Sequence, residues 1–543
     1  MGKVARYTAE LIRQYTEAGH WKADYAVDYW RRNARESAER EALVAPDGRY
    51  TWGSACDAID RIVAALHADG WRRDDVLVLQ APNSAQLLLL RLACEEAGVV
   101  TACLPVTFSR AEITAVVGQL SPRGVALPAS PRGEELLPIY EGLSEPGGRL
   151  SLRYSLGGAA LKGARSLGDW LGEAGAAQRE PSRTQGFGPY EYPSVVTSSG
   201  TTGAPKCIEH TACARLAAGR QYIPRLRLTS SDVIGGFTSL YSGNCDLVLY
   251  HAAPQAGARV VLLEHFTPEA ACSLIERERI TGAIFVPTLL HRLLAYPRLG
   301  AHDLSTLRFV TSFGAMLAPG IAARAEARLG VRVIQGYGAA EYGALASTAL
   351  DDPEEVRLRG VGRPLPDTEI EVRDESGNVL APGSTGRIFA RGPYCVGGFV
   401  HDRAATQEAW RTGFFAPGDV GRIDEKGFLW LEGRARDVII RGGQNIVPQE
   451  IEDVLLRHPA IHDVAAVRVP DPEMGERVGI FVVPADGTPP TLDDLRAFML
   501  ARGLAKFKLP EYLEVIDSLP LNPAGTKVNK RALEERLSRK RLD

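Results

Sequence analysis

The sequence predicts an α/β protein made mainly of parallel sheets, with a smaller α+β unit at its C-terminal end. Three observations carry this. Short apolar, β-branched runs alternate with helical patterns through roughly the first 330 residues. Residues 369–431 hold short strands separated by turn residues, with few helical patterns between them. From residue 436 the alternation resumes on a smaller scale.

Val76–Leu79 reads as a strand, Ala85–Ala97 as a helix and residues 99–102 as the next strand. Residues 260–263, 283–286, 309–311 and 331–334 read as further strands, with a helix over Pro268–Glu278. Strand–helix–strand order argues for parallel sheets covered by helices, whose C-terminal edges are where ligands bind. Turn signals at 374–378, 382–383 and 424–427 point to an antiparallel barrel or sheet over 369–431. In the last unit, 448–458 and 492–502 read as helices, 464–469 and 479–483 as strands, and 531–539 as a charged helix. Residues 137–190 are rich in Gly, Ser and Pro and give only weak periodicity.

Composition narrows the function. A 543-residue chain that is 45% hydrophobic is not a disordered scaffold. Its net charge of −3 gives no global sign of a nucleic-acid binder. No stretch approaches ~20 uninterrupted apolar residues, so no membrane span is predicted; the most apolar early run, 87–92, is broken by Arg91. The eight cysteines form no CxxC and the ten histidines no HExxH, which excludes the common zinc and disulfide patterns. Scattered thiols and an N-terminus without an apolar core predict a cytoplasmic protein.

Four stretches carry candidate chemistry. The first is Thr197-Ser198-Ser199-Gly200-Thr201-Thr202-Gly203-Ala204-Pro205-Lys206, after a probable strand. Glycine backbone N–H groups, hydroxyls and a lysine together suit a polyphosphate. The Gly spacing is not that of GxxxxGK[ST], and Cys207 follows the lysine. The second is Gly336-Tyr337-Gly338-Ala339-Ala340-Glu341, which has Glu where a dinucleotide fingerprint needs its third Gly. It offers instead an aromatic face for a base and a carboxylate for Mg²⁺. The third runs from Gly413 to Asp419, followed by Arg434, Arg436 and Asp437. Asp419 in a tight turn can accept hydrogen bonds from the two ribose hydroxyls, with Arg434 nearby. The fourth, Leu521 to Lys530, presents Lys527 after a Pro-Ala-Gly turn. Each stretch taken singly is also compatible with an ordinary surface turn.

In this order and spacing, the four stretches resemble the acyl-adenylate-forming superfamily, over about residues 25–537. Within it the chain is most similar to acid–CoA ligases and aryl-acid–AMP ligases. The resemblance implies two wound α/β subdomains and a β-barrel-like subdomain in residues 1–435, and a mobile domain in 436–543. It implies that Thr197, Ser198, Ser199, Gly200, Thr201, Thr202, Gly203 and Lys206 close over ATP phosphates, Thr201 with a catalytic part. Gly314 and Ala315 would line the adenine and acyl pockets, with Phe313 and Gly338 on the acid side. Tyr337 would stack near adenine, Gly338 beside it, and Glu341 would hold Mg²⁺. Asp419 and Arg434 would take the ribose. Lys527 would contact the carboxylate and α-phosphate, and Arg436-Asp437 would be the hinge.

The implied activity is ATP-dependent conversion of a carboxylic acid to acyl-AMP and transfer to a thiol. CoA is the first choice of thiol. The alternatives are a carrier-protein phosphopantetheine, or adenylation alone. A homodimer is left open. Two departures bear on this. Ala416-Pro417 and Arg436 stand where the superfamily usually has Arg-Thr and Asp or Lys. Tyr241-Ser242-Gly243-Asn244 stands where hydroxybenzoate activators carry His-Asn-aromatic. Gly243 opens space, so a cyclic, aryl or other bulky acid is expected. Asp246 is either a hydrogen-bonded helix residue or a polar contact to that acid.

Overall fold

Two large sheets share a single layer of helices in the computed structural model, which describes residues 6–144, 150–158, 160–172, 186–198, 205–434, 437–441, 444–485, 489–521 and 528–540. Among those residues, the first sheet has nine strands. Its central strands, Arg332–Ala339, Phe309–Phe313, Gly282–Phe285, Val233–Gly236, Arg259–Leu262 and Glu41–Ala45, run parallel. Antiparallel strands flank them, with Gly343–Ser347 beside Arg332–Ala339. The second sheet has eight strands, with Ser194–Ser198, Val100–Cys103, Val76–Leu79, Gly124–Pro128 and Leu152–Leu156 parallel at its centre.

Strand periodicity explains the layering. Along Val76–Leu79, Leu77 and Leu79 face a core between the sheets, while Val76 and Val78 face an outer core. In the first sheet, Phe309 and Phe313 face the shared core and Val310 the outer one. Strands buried on both faces read as continuous apolar runs, which is why the sequence marks them so clearly. The shared layer holds helices Trp52–Ala68, Ala85–Ala97 and Ala212–Leu226. Ala85–Ala97 is buried along its whole length, Arg91 included. The Ser84 side chain accepts from the Leu87 N–H at its start, and Gly98 ends it at φ +75°.

Residues 369–434 form a four-stranded antiparallel sheet rather than a closed barrel: Glu369–Arg373, Gly386–Arg391, Asp419–Ile423 and Leu429–Arg434 in that order. A smaller C-terminal unit follows, in which the long hairpin Ile461–Asp471 and Gly475–Pro484 packs on helices Pro448–Leu455, Leu492–Ala501 and Lys530–Lys540. The rings of His291 and His462, from the two parts of the chain, lie 5.2 Å apart. The weakly periodic stretch contributes more than its sequence suggests. Strands Leu152–Leu156 and Arg165–Ser166 extend the second sheet. All eight cysteines are buried free thiols. No helix among the described residues is long and apolar enough to cross a membrane.

Candidate active site

The hydroxyl-rich loop joins two antiparallel strands, Ser194–Ser198 and Lys206–His210, with Ser198 opposite Lys206. The first strand runs through Ser198, two residues into the hydroxyl-rich stretch. A hairpin of this kind has no helix dipole beneath its turn, unlike a Walker loop. Ser199, Gly200, Thr201, Thr202 and Gly203 lie outside the described residues, as do Arg436 and Lys527. Lys206 is exposed, with its ammonium 4.9 Å from the centre of the Phe399 ring.

The Tyr337–Glu341 segment leads into a hairpin, not a helix. Strand Arg332–Ala339 turns through Ala340-Glu341-Tyr342 into Gly343–Ser347. The turn leaves Glu341 half-buried. Gly338 is required by close approach, since a Cβ there would sit 2.4 Å from the Gly343 carbonyl oxygen. Gly336 likewise makes room for the Phe313 ring. Phe313 ends its strand, and Gly314 (φ +90°) and Ala315 follow it, exposed at the C-terminal edge of the parallel sheet.

Asp419 starts a strand just after Gly418 (φ +78°), rather than lying within a turn. It is buried, and its carboxylate is already gripped. The Tyr337 hydroxyl donates to Oδ2 at 2.6 Å, and Arg434 Nε lies 2.7 Å from Oδ1. Arg434 also donates from Nη1 to the Pro417 carbonyl at 3.3 Å, so it braces the Ala416-Pro417 departure. The Tyr342 ring bridges Tyr337 and Phe415, at 6.0 and 5.1 Å. Burial, then the neighbouring Tyr342 and Asp419, push the Tyr337 phenol well above its usual range, so it stays a donor. Asp437 follows Arg434 closely, donating its N–H to the Arg434 carbonyl at 3.0 Å.

In the segment expected to face the acid, Ser242 caps a short helix by accepting from the Cys245 N–H. Tyr241 commits its hydroxyl to the Ala81 carbonyl at 2.8 Å. Asn244 is buried and ties the helix to the sheet, donating to the Phe285 carbonyl and accepting from the Thr311 hydroxyl, both at 3.1 Å. Gly243 is exposed, and a Cβ added to it meets nothing within 4 Å. Gly243→Trp is therefore expected to fold normally and to block the preferred acid while sparing ATP binding. Unchanged acid turnover would remove Gly243 from the acid pocket.

Sequence reasoning singled out Asp246 as a hydrogen-bonded helix residue or a contact to the acid, but missed the buried charges that pair with it. Residues 246–252 form a π-helical turn, which sets Asp246 and His251 on one face. The Asp246 carboxylate meets Arg91 Nη2 at 2.6 Å, Arg215 Nε at 3.0 Å and His251 Nε2 at 3.5 Å. Burial raises its pKa, but Arg91, Arg215 and His251 together hold it well below the usual range. His210 donates from Nε2 to the Ala340 carbonyl at 3.2 Å, next to Glu341, and burial drops its pKa to about 3. Glu95 accepts the Ala26 N–H at 3.3 Å; burial pushes its carboxyl up to about 8 against that bond and Arg91. The available signal was Arg91 itself, a charge inside an apolar helix.

The raised Glu95 sets a pH dependence. Its protonated form favours the folded state, so the stabilisation is complete below about pH 4.5 and is lost as pH rises through 8. Glu95→Gln cannot titrate. Between pH 5 and 8 the wild type should lose stability relative to this variant, by up to about 1.4 kcal/mol per pH unit. Unfolding midpoints measured across that window check it. Parallel curves would mean that Glu95 is ionised in the fold.

A buried carboxylate held by a tyrosine and an arginine, a glycine-tight hairpin with a glutamate at its tip, and a strand pair joined by a hydroxyl-rich stretch are donor and acceptor types that suit a nucleotide. They stand on a mixed α/β scaffold. The chain belongs to the AMP-binding enzyme family: residues 30–400 match that family, and residues 450–526 match the AMP-binding enzyme C-terminal domain. It is 32% identical to 2-hydroxy-7-methoxy-5-methyl-1-naphthoate–CoA ligase of Streptomyces carzinostaticus, over 96% of this chain and 95% of that one. It is 31% identical to a salicylyl-CoA synthase / salicylate adenylyltransferase of a Streptomyces species, over 97% and 96%. Among solved structures, the amide bond synthetase McbA from Marinactinospora thermotolerans superposes with a TM-score of 0.83 at 29% identity, covering 94% of this chain and 99% of that one.

Proposed function

We propose that this enzyme activates a cyclic, aryl or other bulky carboxylic acid as its acyl-AMP and transfers the acyl group to CoA. The observation that carries the reading is the Asp419 carboxylate, positioned by Tyr337 and Arg434 within a hairpin's length of Glu341. We read residues 1–435 as the nucleotide- and acid-binding domain and 436–543 as the mobile domain that brings Lys527.

A carboxylate is a poor electrophile, and ATP repairs this. The acid's oxygen attacks the α-phosphorus, the bond to pyrophosphate breaks, and the acyl carbon gains AMP as its leaving group. A thiolate then attacks that carbon and AMP departs. The first step brings anions together, so donors aimed at the phosphates contribute most. The loop from Thr197 to Lys206 supplies them at the β- and γ-phosphates, and Lys527 at the α-phosphate. Asp419 accepts the ribose hydroxyls and Tyr337 flanks the base. Gly314, Ala315 and Gly338 border the nucleotide and the acid, and Phe313, Tyr241, Ser242 and Gly243 border the acid. Glu341 suits Mg²⁺, because one carboxylate beside substrate phosphates is an ordinary ligand set for that ion. When bound, the ion neutralises phosphate charge.

The test is carboxylate-dependent exchange of pyrophosphate into ATP across a panel of acids. Thioester formation with CoA and with phosphopantetheinylated carrier proteins follows for each active acid. Exchange plus CoA thioester is expected. A thioester on carrier protein alone would replace CoA as the acceptor, and exchange without thioester would leave an adenylating enzyme. No exchange with any acid would overturn the reading.

A further inference from the structure

Beside the Asp246 cluster lies a pocket of about 10 Å³, room for a single oxygen atom with its hydrogens, lined by Arg91, Glu95, His210, Arg215, Tyr250 and His251. Its walls adjoin the candidate site on two sides. Tyr250 and His251 lie in the helical stretch that begins at Gly243, and His210 is bonded to the Ala340 carbonyl beside Glu341.

The walls have unmet hydrogen-bonding capacity. Arg91 Nη1, His210 Nδ1 and His251 Nδ1 are buried without a hydrogen-bond partner in the protein. Such groups call for an explanation, because a buried polar atom left bare loses its hydration without gaining a hydrogen bond in return. Two of these polarities are defined. Arg91 Nη1 is a donor. The Ala340 carbonyl only accepts, so the His210 proton is on Nε2 and its Nδ1 is an acceptor. His251 has neither ring nitrogen hydrogen-bonded, with Nε2 3.5 Å from the Asp246 carboxylate. A donor and an acceptor around a one-oxygen space match a hydroxyl, which accepts from Arg91 and donates to His210. An ether cannot donate, an ammonium cannot accept, and a methyl does neither. Irregular π-helical backbone, which is frequent at functional sites, shapes one wall.

We propose that this cavity is the far end of the acid pocket and selects carboxylic acids that carry a hydroxyl group remote from the reacting carboxylate. The inference rests on the acid-activating reading above and adds the substrate class.

The test uses the full-length enzyme and one rigid aryl-acid scaffold bearing hydroxyl, hydrogen, methyl, methoxy or amino at its far position. Carboxylate-dependent exchange gives kcat/KM for each. The hydroxy acid should exceed each of the others by at least tenfold, since sites built to bond a hydroxyl discriminate strongly against its absence. Arg91→Met removes the free donor yet leaves Asp246 paired with Arg215, so the variant should fold, as a thermal unfolding curve verifies. In it the hydroxyl preference should collapse to within about threefold, with the KM for ATP unchanged. A wild-type enzyme with no preference, or an Arg91→Met enzyme that keeps it, would mean that the cavity holds only water and would overturn the proposal. An enzyme that activates none of the acids would overturn the adenylation reading instead.

Discussion

Lys527→Ala should abolish carboxylate-dependent ATP–pyrophosphate exchange while leaving thiolysis of a supplied acyl-AMP largely intact. In the first half-reaction an anionic carboxylate approaches an anionic phosphate, and a cation between them is worth most at the transition state. Losing one such contact typically costs about 10²–10³-fold. In the second half-reaction the acid is already neutral as an acyl group, and the same cation has little to stabilise. On either side of the stretch that holds Lys527, an isolated bridge pairs Leu521 with Val528, and the Asn529 N–H donates to the Pro520 carbonyl at 2.7 Å. The two half-reactions are measured separately, by isotope exchange and by thioester formation from synthetic acyl-AMP. Equal loss of both would sink the assignment.

Asp246→Ala should be the most destabilising single change, at about 3–5 kcal/mol. Two guanidiniums, Arg91 and Arg215, are about 4% exposed and rely on this carboxylate. Removing Asp246 therefore leaves two buried cations without a counter-charge, in a protein whose total stability is on the order of 5–15 kcal/mol. Denaturant midpoints check this. A loss below about 1 kcal/mol would show that the arginines find other partners or water. Pairing Asp246→Ala with Arg91→Met should recover part of the loss, since the double variant buries one cation fewer.

The layered scaffold was legible because its signals are local. Strands buried on both faces must be continuously apolar, as Val76–Leu79 is, and helix starts announce themselves, as Ser84 and the Thr267-Pro268 pair do. The nucleotide residues were legible as types, but their supports were not. That Tyr337 and Arg434 hold the same carboxylate depends on two sheets meeting, which no window of sequence reports. Arg91 was the hardest to read. A charge in an apolar helix usually marks a solvent face, and only a partner 155 residues away, Asp246, makes its burial affordable. The hairpin beneath the hydroxyl-rich stretch was similarly hidden, since a strand followed by glycines reads equally well as the approach to a helix.

Arg434 ends its strand with two attachments. Its guanidinium holds Asp419 and Pro417, and its carbonyl receives the Asp437 N–H where the chain crosses to the C-terminal unit. One residue thus joins the Asp419 carboxylate to the start of the C-terminal unit. On the proposed reading, a substitution at Arg434 should alter nucleotide affinity and the behaviour of the C-terminal unit together, and titrations of ATP alone would under-report what such variants have lost.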